Sequence, residues 1–92
     1  MPEERREAHL RRVDRARNMA RFYTLSVEMA LFDSWSCTKA YGRIGARRGR
    51  IMVGLYANEE EALAALSSLL RQKLRRGYVP ADKAVPARPS GR

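Results

Sequence analysis

The chain has 92 residues and a formal net charge of +9 at pH 7, which allows one small domain and favours a polyanionic partner such as nucleic acid. Cys37 is the only cysteine, so a disulfide framework and a cysteine zinc site are both excluded. No stretch resembles a secretory signal or reaches the roughly 18 apolar residues that a membrane span requires. We therefore expect a soluble, cytoplasmic protein without a membrane partner, associated with the nucleoid if it binds DNA.

Residues 1–18 are rich in charge and contain few apolar side chains. Leu10 and Val13 could share one face of a helix, but that face is thin. The segment is predicted to be a frayed helix or a disordered arm that precedes a domain of residues 19–80. Its excess of arginines over acids would suit contact with a phosphate backbone, or would simply make it a solvated leader.

Alternation of apolar and polar residues begins at Arg21 and indicates three short strands. In the first strand one face would carry Tyr23, Leu25, Val27 and Met29. The second strand is predicted over residues 35–41. The third is predicted over residues 50–56, with one face formed by Ile51, Val53 and Leu55. The short links between the strands indicate an antiparallel meander.

A helix is predicted over residues 59–76. Asn58 is placed to accept a hydrogen bond from the first turn, and Glu61 can reach back to the N–H of Asn58, which makes a capping box. Acidic residues begin the helix and basic residues end it, as the helix dipole favours. Apolar residues at three- and four-residue steps form a stripe that should cover the sheet: Ala62, Leu63, Ala65, Leu66, Leu69, Leu70 and Leu74.

Gly77 is placed to end this helix, and Tyr78 with Val79 could form a very short strand at the sheet edge. Residues 81–92 are rich in proline and polar side chains and are predicted to be a disordered tail. The predicted fold class is α+β, with a small antiparallel sheet of three to four strands packed against one amphipathic C-terminal helix.

A basic loop over residues 39–50 is the clearest functional candidate. It combines five cationic side chains with three glycines, one aromatic ring and no carboxylate. Glycines let backbone N–H groups approach a ligand closely, and guanidinium groups match the geometry of phosphate oxygens. An ordinary solvated connection between two strands would have a similar composition.

Catalytic chemistry finds little support in the sequence. His9 is the only imidazole and lies in the charged leader, so the chain has no Ser–His or Cys–His pair and no histidine metal cluster. The acids at the start of the helix already have a structural role. The segment from Gly42 to Gly45 does not have the spacing of a P-loop or a dinucleotide fingerprint. We expect no enzymatic activity, no cofactor and no metal.

Residues 35–45, with Tyr41-Gly42-Arg43 as their signature, resemble the WGR domain, a module of poly(ADP-ribose) polymerases and of short bacterial proteins. The resemblance extends over about residues 18–80, from Phe22-Tyr23 through the capped helix to Tyr78. The tryptophan of the family signature is Tyr41 in this chain. Tyrosine keeps a flat aromatic face but loses area and the indole N–H.

The resemblance implies an antiparallel sheet packed on one helix, without catalytic activity, that contacts DNA near a strand break or end. Tyr41 would stack on the sugar-phosphate of a terminal nucleotide and Arg43 would contact the backbone, while Gly42 and Gly45 would shape the turn. In the polymerases the module also relays DNA occupancy to a catalytic domain, which here would belong to a partner protein. From charge and position alone we add four further candidate binding residues, Lys39, Arg47, Arg48 and Arg50.

Two functions fit these observations. The first is a non-enzymatic nucleic-acid-binding module that contacts the sugar-phosphate backbone or the strand ends of DNA, or RNA, through the basic loop. The alternative is a protein interaction or adaptor module that docks on an acidic partner. Tyr41 could also be only a strand-end aromatic packed on the sheet, whereas Arg43 lies in a loop without an acid to pair with it.

Overall fold

The computed structural model describes residues 6–46 and 49–81, and within these ranges it contains one antiparallel sheet, one α-helix and two short 3-10 helices, Arg15–Arg17 and Leu31–Asp33. This is the α+β arrangement predicted from the sequence, with five strands in place of three to four. The elements are β1 (Glu7–Asp14), β2 (Met19–Met29), β3 (Trp35–Arg43), β4 (Arg50–Tyr56), α1 (Glu59–Arg75) and β5 (Val79–Pro80). In this part of the chain no helix combines the length and the apolar character needed to cross a bilayer.

The strand order is β4-β3-β2-β1-β5, and every neighbouring pair is antiparallel. The first four strands are therefore a meander. β5 follows the helix and returns to the far edge beside β1, which places the predicted short strand at Val79–Pro80. We call the sheet face under α1 the helix face and the opposite one the open face.

β1 is the main departure from the sequence prediction. Residues 7–14, expected to be a frayed helix or a disordered arm, pair with β2 along their whole length. Ala8 and Leu10 are buried, while their neighbours Glu7, His9 and Arg11 are exposed. A strand needs an apolar side chain only at alternate positions, so the apolar content that was too thin for a helix is sufficient here.

The predicted domain boundary at residue 19 is therefore wrong, because the sheet already includes β1. Arg6 also belongs to the fold: its guanidinium pairs with the carboxylate of Glu59 and lies 5.7 Å from the centre of the Trp35 ring. The predictions for residues 1–5 and for the tail from residue 82 onward lie outside the described residues.

The core lies between the helix face and α1. Leu25 at the centre of the sheet and Leu66 on the helix are almost completely buried. Met29, predicted to share the face of Tyr23, Leu25 and Val27, pairs with Trp35 at the end of β2 and is mostly exposed. The buried cluster consists of Ala8, Leu10, Tyr23, Leu25, Val27, Cys37, Ala62, Leu63, Leu66 and Tyr78.

Both ends of α1 are capped. The side chain of Asn58 accepts from the N–H of Glu61 at 2.8 Å, as predicted. The carboxylate of Glu61 accepts from the N–H of Ala57 at 3.3 Å instead of from Asn58, so the predicted return bond is shifted by one residue. At the other end Gly77 has a φ of +100° and its N–H donates to Leu74, one of the two bonds of a Schellman motif.

The second bond of that motif runs from the N–H of Tyr78 to the carbonyl of Lys73, at 3.1 Å. It turns the chain back onto the sheet, so that Tyr78 is buried in the core and the next two residues form β5. The tight end of the helix thus positions an aromatic ring beside the last turn of α1.

Candidate nucleic-acid interface

An open cavity of about 770 Å³ lies beside the last turn of α1, and most of its lining side chains are on the helix face of the sheet. Strands β2, β3 and β4 and the helix all contribute to it. Among the described residues its lining contains five cationic side chains, three tyrosines and no carboxylate. We call it the basic cavity; it is lined by Arg21, Lys39, Arg43, Arg50, Lys73, Tyr23, Tyr41, Tyr78, Phe22, Gly42 and Gly49.

Strand register explains why these side chains converge. Arg21 lies opposite Arg43, Tyr23 opposite Tyr41, and Tyr41 in turn opposite Arg50. Residues directly opposite each other in antiparallel strands point to the same face. Two arginines side by side repel each other, so this pairing is unfavourable for folding unless an anion lies between or above them.

Among residues 6–46 and 49–81, no carboxylate pairs with a cation of the basic cavity. Ion pairs in the described residues join Arg6 to Glu59, His9 to Glu7 and Arg17 to Asp14, and none of these cations lines the cavity. A concave surface that carries charge of one sign concentrates its field and attracts counter-ions.

Arg43 makes one long hydrogen bond, from a guanidinium nitrogen to the carbonyl of Asn18 at 3.4 Å, and it is exposed. This bond can orient the side chain without neutralising it, because a neutral carbonyl accepts it. The other N–H groups of the guanidinium have no acceptor within the described part of the chain, and their forked arrangement suits two phosphate oxygens.

The three tyrosines form a contiguous aromatic group at the base of the cavity. The rings of Tyr23 and Tyr41 are 5.6 Å apart and tilted by 31°, and the rings of Tyr23 and Tyr78 are 6.0 Å apart and nearly edge to face. Burial, reinforced by Tyr41, Cys37 and Tyr78, raises the pKa of Tyr23, so this phenol is neutral at physiological pH. Tyr23 and Tyr78 are buried, so Tyr41 is the tyrosine of this group that can present flat, partly apolar surface to a sugar or a base.

The position of Tyr41 is compatible with both roles considered from the sequence. The residue is half-buried and packs against the core, while part of it lines the cavity. Its hydroxyl lies 3.8 Å from the sulfur of Met52, a weak contact. The ring of Tyr41 has Tyr23 as a neighbour and is partly accessible from the cavity, so its face is available to a ligand.

Lys73 is the residue through which α1 contributes to the basic cavity. Its ammonium nitrogen lies 4.6 Å from the centre of the Tyr23 ring and 5.7 Å from that of Tyr78, within cation–π distance. Burial lowers the pKa of Lys73, and the charges of Arg76, Lys39 and Arg21 lower it further. A bound anion would counteract this crowding of positive charge.

The glycines have different roles from one another. Gly45 has a φ of +88° and forms the turn after β3, as predicted. Gly42, predicted to shape the turn as well, lies within β3. A Cβ on Gly49 would lie 2.6 Å from the carbonyl oxygen of Tyr41, so glycine permits the close approach of backbone at the rim of the cavity.

The structure brings five of the eight predicted binding residues to the basic cavity, namely Lys39, Tyr41, Gly42, Arg43 and Arg50. Gly45 is in the turn and does not line it. Arg47 and Arg48 lie outside the described residues. The cavity also contains residues that were not among the predicted binding residues, including Arg21, Lys73, Tyr23 and Tyr78.

Two of these could have been found from periodicity. Arg21 precedes Tyr23 by two positions, so strand alternation places both on one face. Lys73 follows Leu66 by seven positions, about two helical turns, so it continues the stripe that faces the sheet. Trp35 packs against the core and does not line the cavity.

Cys37 is buried in the core, and burial raises the pKa of its thiol, with Lys39 acting in the opposite direction. It does not line the basic cavity. Within residues 6–46 and 49–81 no three His, Cys, Asp or Glu side chains are grouped so that they could hold a metal ion.

A five-stranded antiparallel sheet with one helix and a basic, aromatic cavity defines a small α+β module with the features of an anion-binding site. The family model of the WGR domain matches residues 6–85. The chain belongs to the WGR domain family, as the resemblance indicated, and the match includes β1. In poly(ADP-ribose) polymerases the WGR domain is a nucleic-acid-binding module.

A search of curated proteins finds a relative in Sinorhizobium fredii (strain NBRC 101917 / NGR234), the uncharacterized protein y4dW. The two are 43% identical over 72 residues, which is 78% of this chain and 35% of the relative. The matched region thus spans about a third of the length of that protein.

Proposed function

We propose that this chain is a non-enzymatic nucleic-acid-binding module that contacts the sugar-phosphate backbone of DNA, at or near strand ends, through the basic cavity. One observation carries the proposal. Five cations from three strands and a helix surround one cavity, and no described carboxylate lines it.

The free-energy cost of bringing these cations together also supports the proposal. Assembling these cations costs free energy because each is moved closer to like charge, as in the Arg21–Arg43 pairing. Burial lowers the pKa of Lys73, and the neighbouring cations lower it further. A phosphate group offsets the cost of assembly by supplying negative charge at the point where the repulsion is greatest. A purely structural surface would gain stability from interspersed acids instead.

The arrangement favours backbone contact over base reading. Phosphate contacts position a protein on nucleic acid, and sequence is read by side chains that reach base edges in a groove. α1 packs on the sheet and contributes Lys73 to the cavity from its last turn. We therefore expect weak dependence on sequence and a stronger dependence on the shape or the end of the nucleic acid.

Tyr41 would supply the second part of the contact. Its partly accessible ring, backed by the buried Tyr23, offers a flat surface within a cationic cavity, which is the combination that single-stranded or terminal nucleotides favour. An acidic protein segment would satisfy the cations but would make little use of the ring. For this reason the nucleic-acid function is preferred to docking on an acidic partner.

The direct test is a titration of fluorescently labelled DNA, with blunt duplexes, duplexes with recessed ends and a closed circle of equal length compared at several salt concentrations. We expect the linear duplexes to bind more tightly than the circle, and single-stranded RNA serves as a further arm. Equal affinity for circle and linear DNA would overturn end recognition. No binding of any nucleic acid at low salt would overturn the proposal and favour an acidic protein partner.

Arg43→Ala is the first variant to compare. Losing a charge-assisted contact of about 1.5 kcal/mol should weaken binding by about tenfold. The melting temperature should stay the same or rise, because repulsion with Arg21 is relieved. Arg11→Ala is the matched control, since Arg11 is an exposed arginine on the open face. Equal effects of the two substitutions would remove Arg43 from the site.

A further inference from the structure

β4 is an edge strand, and its backbone is directed outward at three positions. Just beyond the two ends of the β2–β3 pairing, the N–H of Ile44 donates to the carbonyl of Ala20 and the N–H of Ala30 donates to the carbonyl of Ser34. Hydrogen-bonded pairs alternate along antiparallel strands, so the backbone groups of the even-numbered residues of β3 are directed toward β2. Odd-numbered residues of β3 consequently bond to β4, where they face even-numbered partners. The N–H and C=O groups left to point away from the sheet are those of Ile51, Val53 and Leu55.

The side chains of the same three residues lie on the open face and are also exposed. Ile51, Val53 and Leu55 have 71%, 58% and 66% of their surface accessible within the described structure. Apolar side chains and unpaired backbone groups thus coincide at one edge. This combination is a template for pairing with another strand.

The other edge of the sheet lacks this property. β5 has only two residues, and one of them, Pro80, has no N–H to donate. Short edge strands, proline, lysine and bulges are the usual protection of sheet edges, and none of them interrupts β4 between Ile51 and Leu55. The described sheet therefore has one protected edge and one that is open to pairing.

We propose that β4 pairs with β4 of a second copy of this chain, antiparallel and related by a two-fold axis at Val53. In this register Val53 lies opposite Val53 of the second copy, and Ile51 lies opposite Leu55. The outward backbone groups of these residues then bond directly to one another, because all three are at positions that face the open edge. A two-fold contact requires such a self-complementary surface.

The pattern of β4 favours a second copy over an unrelated strand. Arg50 is the only charged residue of β4, and the two-fold register places it opposite Tyr56 and not opposite Arg50 of the second copy. Like charges are thereby separated, and a guanidinium faces an aromatic ring. On the helix face Met52 lies opposite Gly54, a large side chain against a small one.

The dimer should be weak and should respond to salt in the opposite sense to nucleic-acid binding. One seven-residue strand from each copy provides less than the about 800 Å² per partner of a stable interface, so we expect a dissociation constant on the order of micromolar. Each copy carries a net charge of +9, and salt screens the resulting repulsion, so added salt should strengthen the dimer.

Analytical ultracentrifugation of the full chain, free of nucleic acid, tests the proposal from micromolar to near-millimolar concentration. We expect a reversible monomer–dimer equilibrium that shifts toward dimer between about 50 mM and 500 mM salt, where the Debye length falls below about 10 Å. Val53→Lys should leave only monomer, because it places two like charges together on the axis. The matched control is Val13→Lys, also on the open face but in β1, which should dimerise like the original chain.

The register has its own test. Ile51→Lys alone and Leu55→Glu alone should each weaken dimerisation, and the double variant should recover it because the two introduced charges then face each other across the axis. Amide exchange at Val53 should slow as concentration rises. A monomer at all concentrations and salts, a dimer unaffected by Val53→Lys, or a double variant weaker than both single ones would overturn the proposal. Thermal melts verify that each variant is folded, and no outcome depends on nucleic-acid binding.

Discussion

Tyr41 occupies the position at which the family signature has tryptophan, and it has one ring neighbour in Tyr23 and one side toward the basic cavity. If a ligand uses the ring face, we expect Tyr41→Trp to bind nucleic acid at least as tightly and Tyr41→Phe to bind equally well, since the hydroxyl has only a weak sulfur contact. Tyr41→Leu should lose about tenfold in affinity, at the lower end of what base–aromatic stacking contributes.

The measurement is the same fluorescence titration, and Tyr56→Leu is its control. Tyr56 is a half-buried tyrosine on the helix face but lies at the far end of β4 from Arg50 and outside the cavity. A loss for Tyr56→Leu as large as that for Tyr41→Leu would show that general destabilisation, and not the ring in the cavity, explains the effect.

Lys73 provides a pH-dependent signature of anion binding. Its pKa is lowered in the free protein, and an adjacent polyanion favours the charged form and raises that pKa. Between the two pKa values binding takes up a proton, so affinity should fall as the pH rises through this window and should be flat below it. Lys73→Arg should remove this part of the pH dependence, because guanidinium stays charged.

The pKa of Lys73 can be followed by NMR of its side-chain carbons with and without an oligonucleotide. An unchanged pKa in the complex would contradict a position next to the ligand. The pKa of Lys73 depends on the charged and titratable groups around it, which are Arg21 and Tyr23 from β2, Lys39 from β3, Arg76 from the end of the helix, and Tyr78. The pKa of Tyr23 is raised, so this phenol loses its proton only above the ordinary range of tyrosine.

At the scale of elements, α1 packs on the core and contributes Lys73 to the basic cavity. A substitution at its N-terminus can therefore test stability without changing the binding site. Asn58→Ala removes the N-cap hydrogen bond at 2.8 Å and should lower the free energy of unfolding by about 1 kcal/mol. Nucleic-acid affinity should not change, because Lys73 lies about 22 Å along the helix from the cap. Urea unfolding is the measurement, and Ser68→Ala at an exposed helix position is the control.

β1 and α1 show what periodicity can and cannot predict. α1 has a cap, a dipole-matched charge distribution and a long apolar stripe, and these independent signals agree on its bounds to within one residue. β1 has only Ala8 and Leu10 as buried residues in a run of charges, so no local signal separates a strand from a solvated arm. Its pairing with β2 is a long-range contact that sequence alternation does not specify.

The site, too, contains residues that the sequence could identify and residues that only the assembled fold brings together. The cations of the basic loop and Tyr41 were identifiable because they are close in sequence. Arg21 and Lys73 reach the cavity from other elements, through strand register and the helix end, so their contribution depends on the assembled fold. Arg47 and Arg48 remain predictions.

For the whole molecule, the salt dependence of binding reports how many cations act together. If the five cations that line the cavity each displace a counter-ion from duplex DNA, the logarithm of the association constant should fall with a slope of about −4 to −5 against the logarithm of salt concentration. Arg43→Ala should reduce the slope by about 1, whereas Arg11→Ala should leave it unchanged. A slope near zero for the original chain would contradict phosphate contact.

The pairing of β5 with β1 has a consequence for how this domain can be built into larger proteins. The N–H of Ala81 donates to the carbonyl of His9 at 2.7 Å, so residue 81 lies about three residues, or 10 Å, along the sheet from residue 6. Residues 6 and 81 both lie at the end of the sheet away from Arg21. The domain could therefore be inserted into a surface loop of a host protein, or circularly permuted through a short linker, while the basic cavity and the β4 edge both stay accessible.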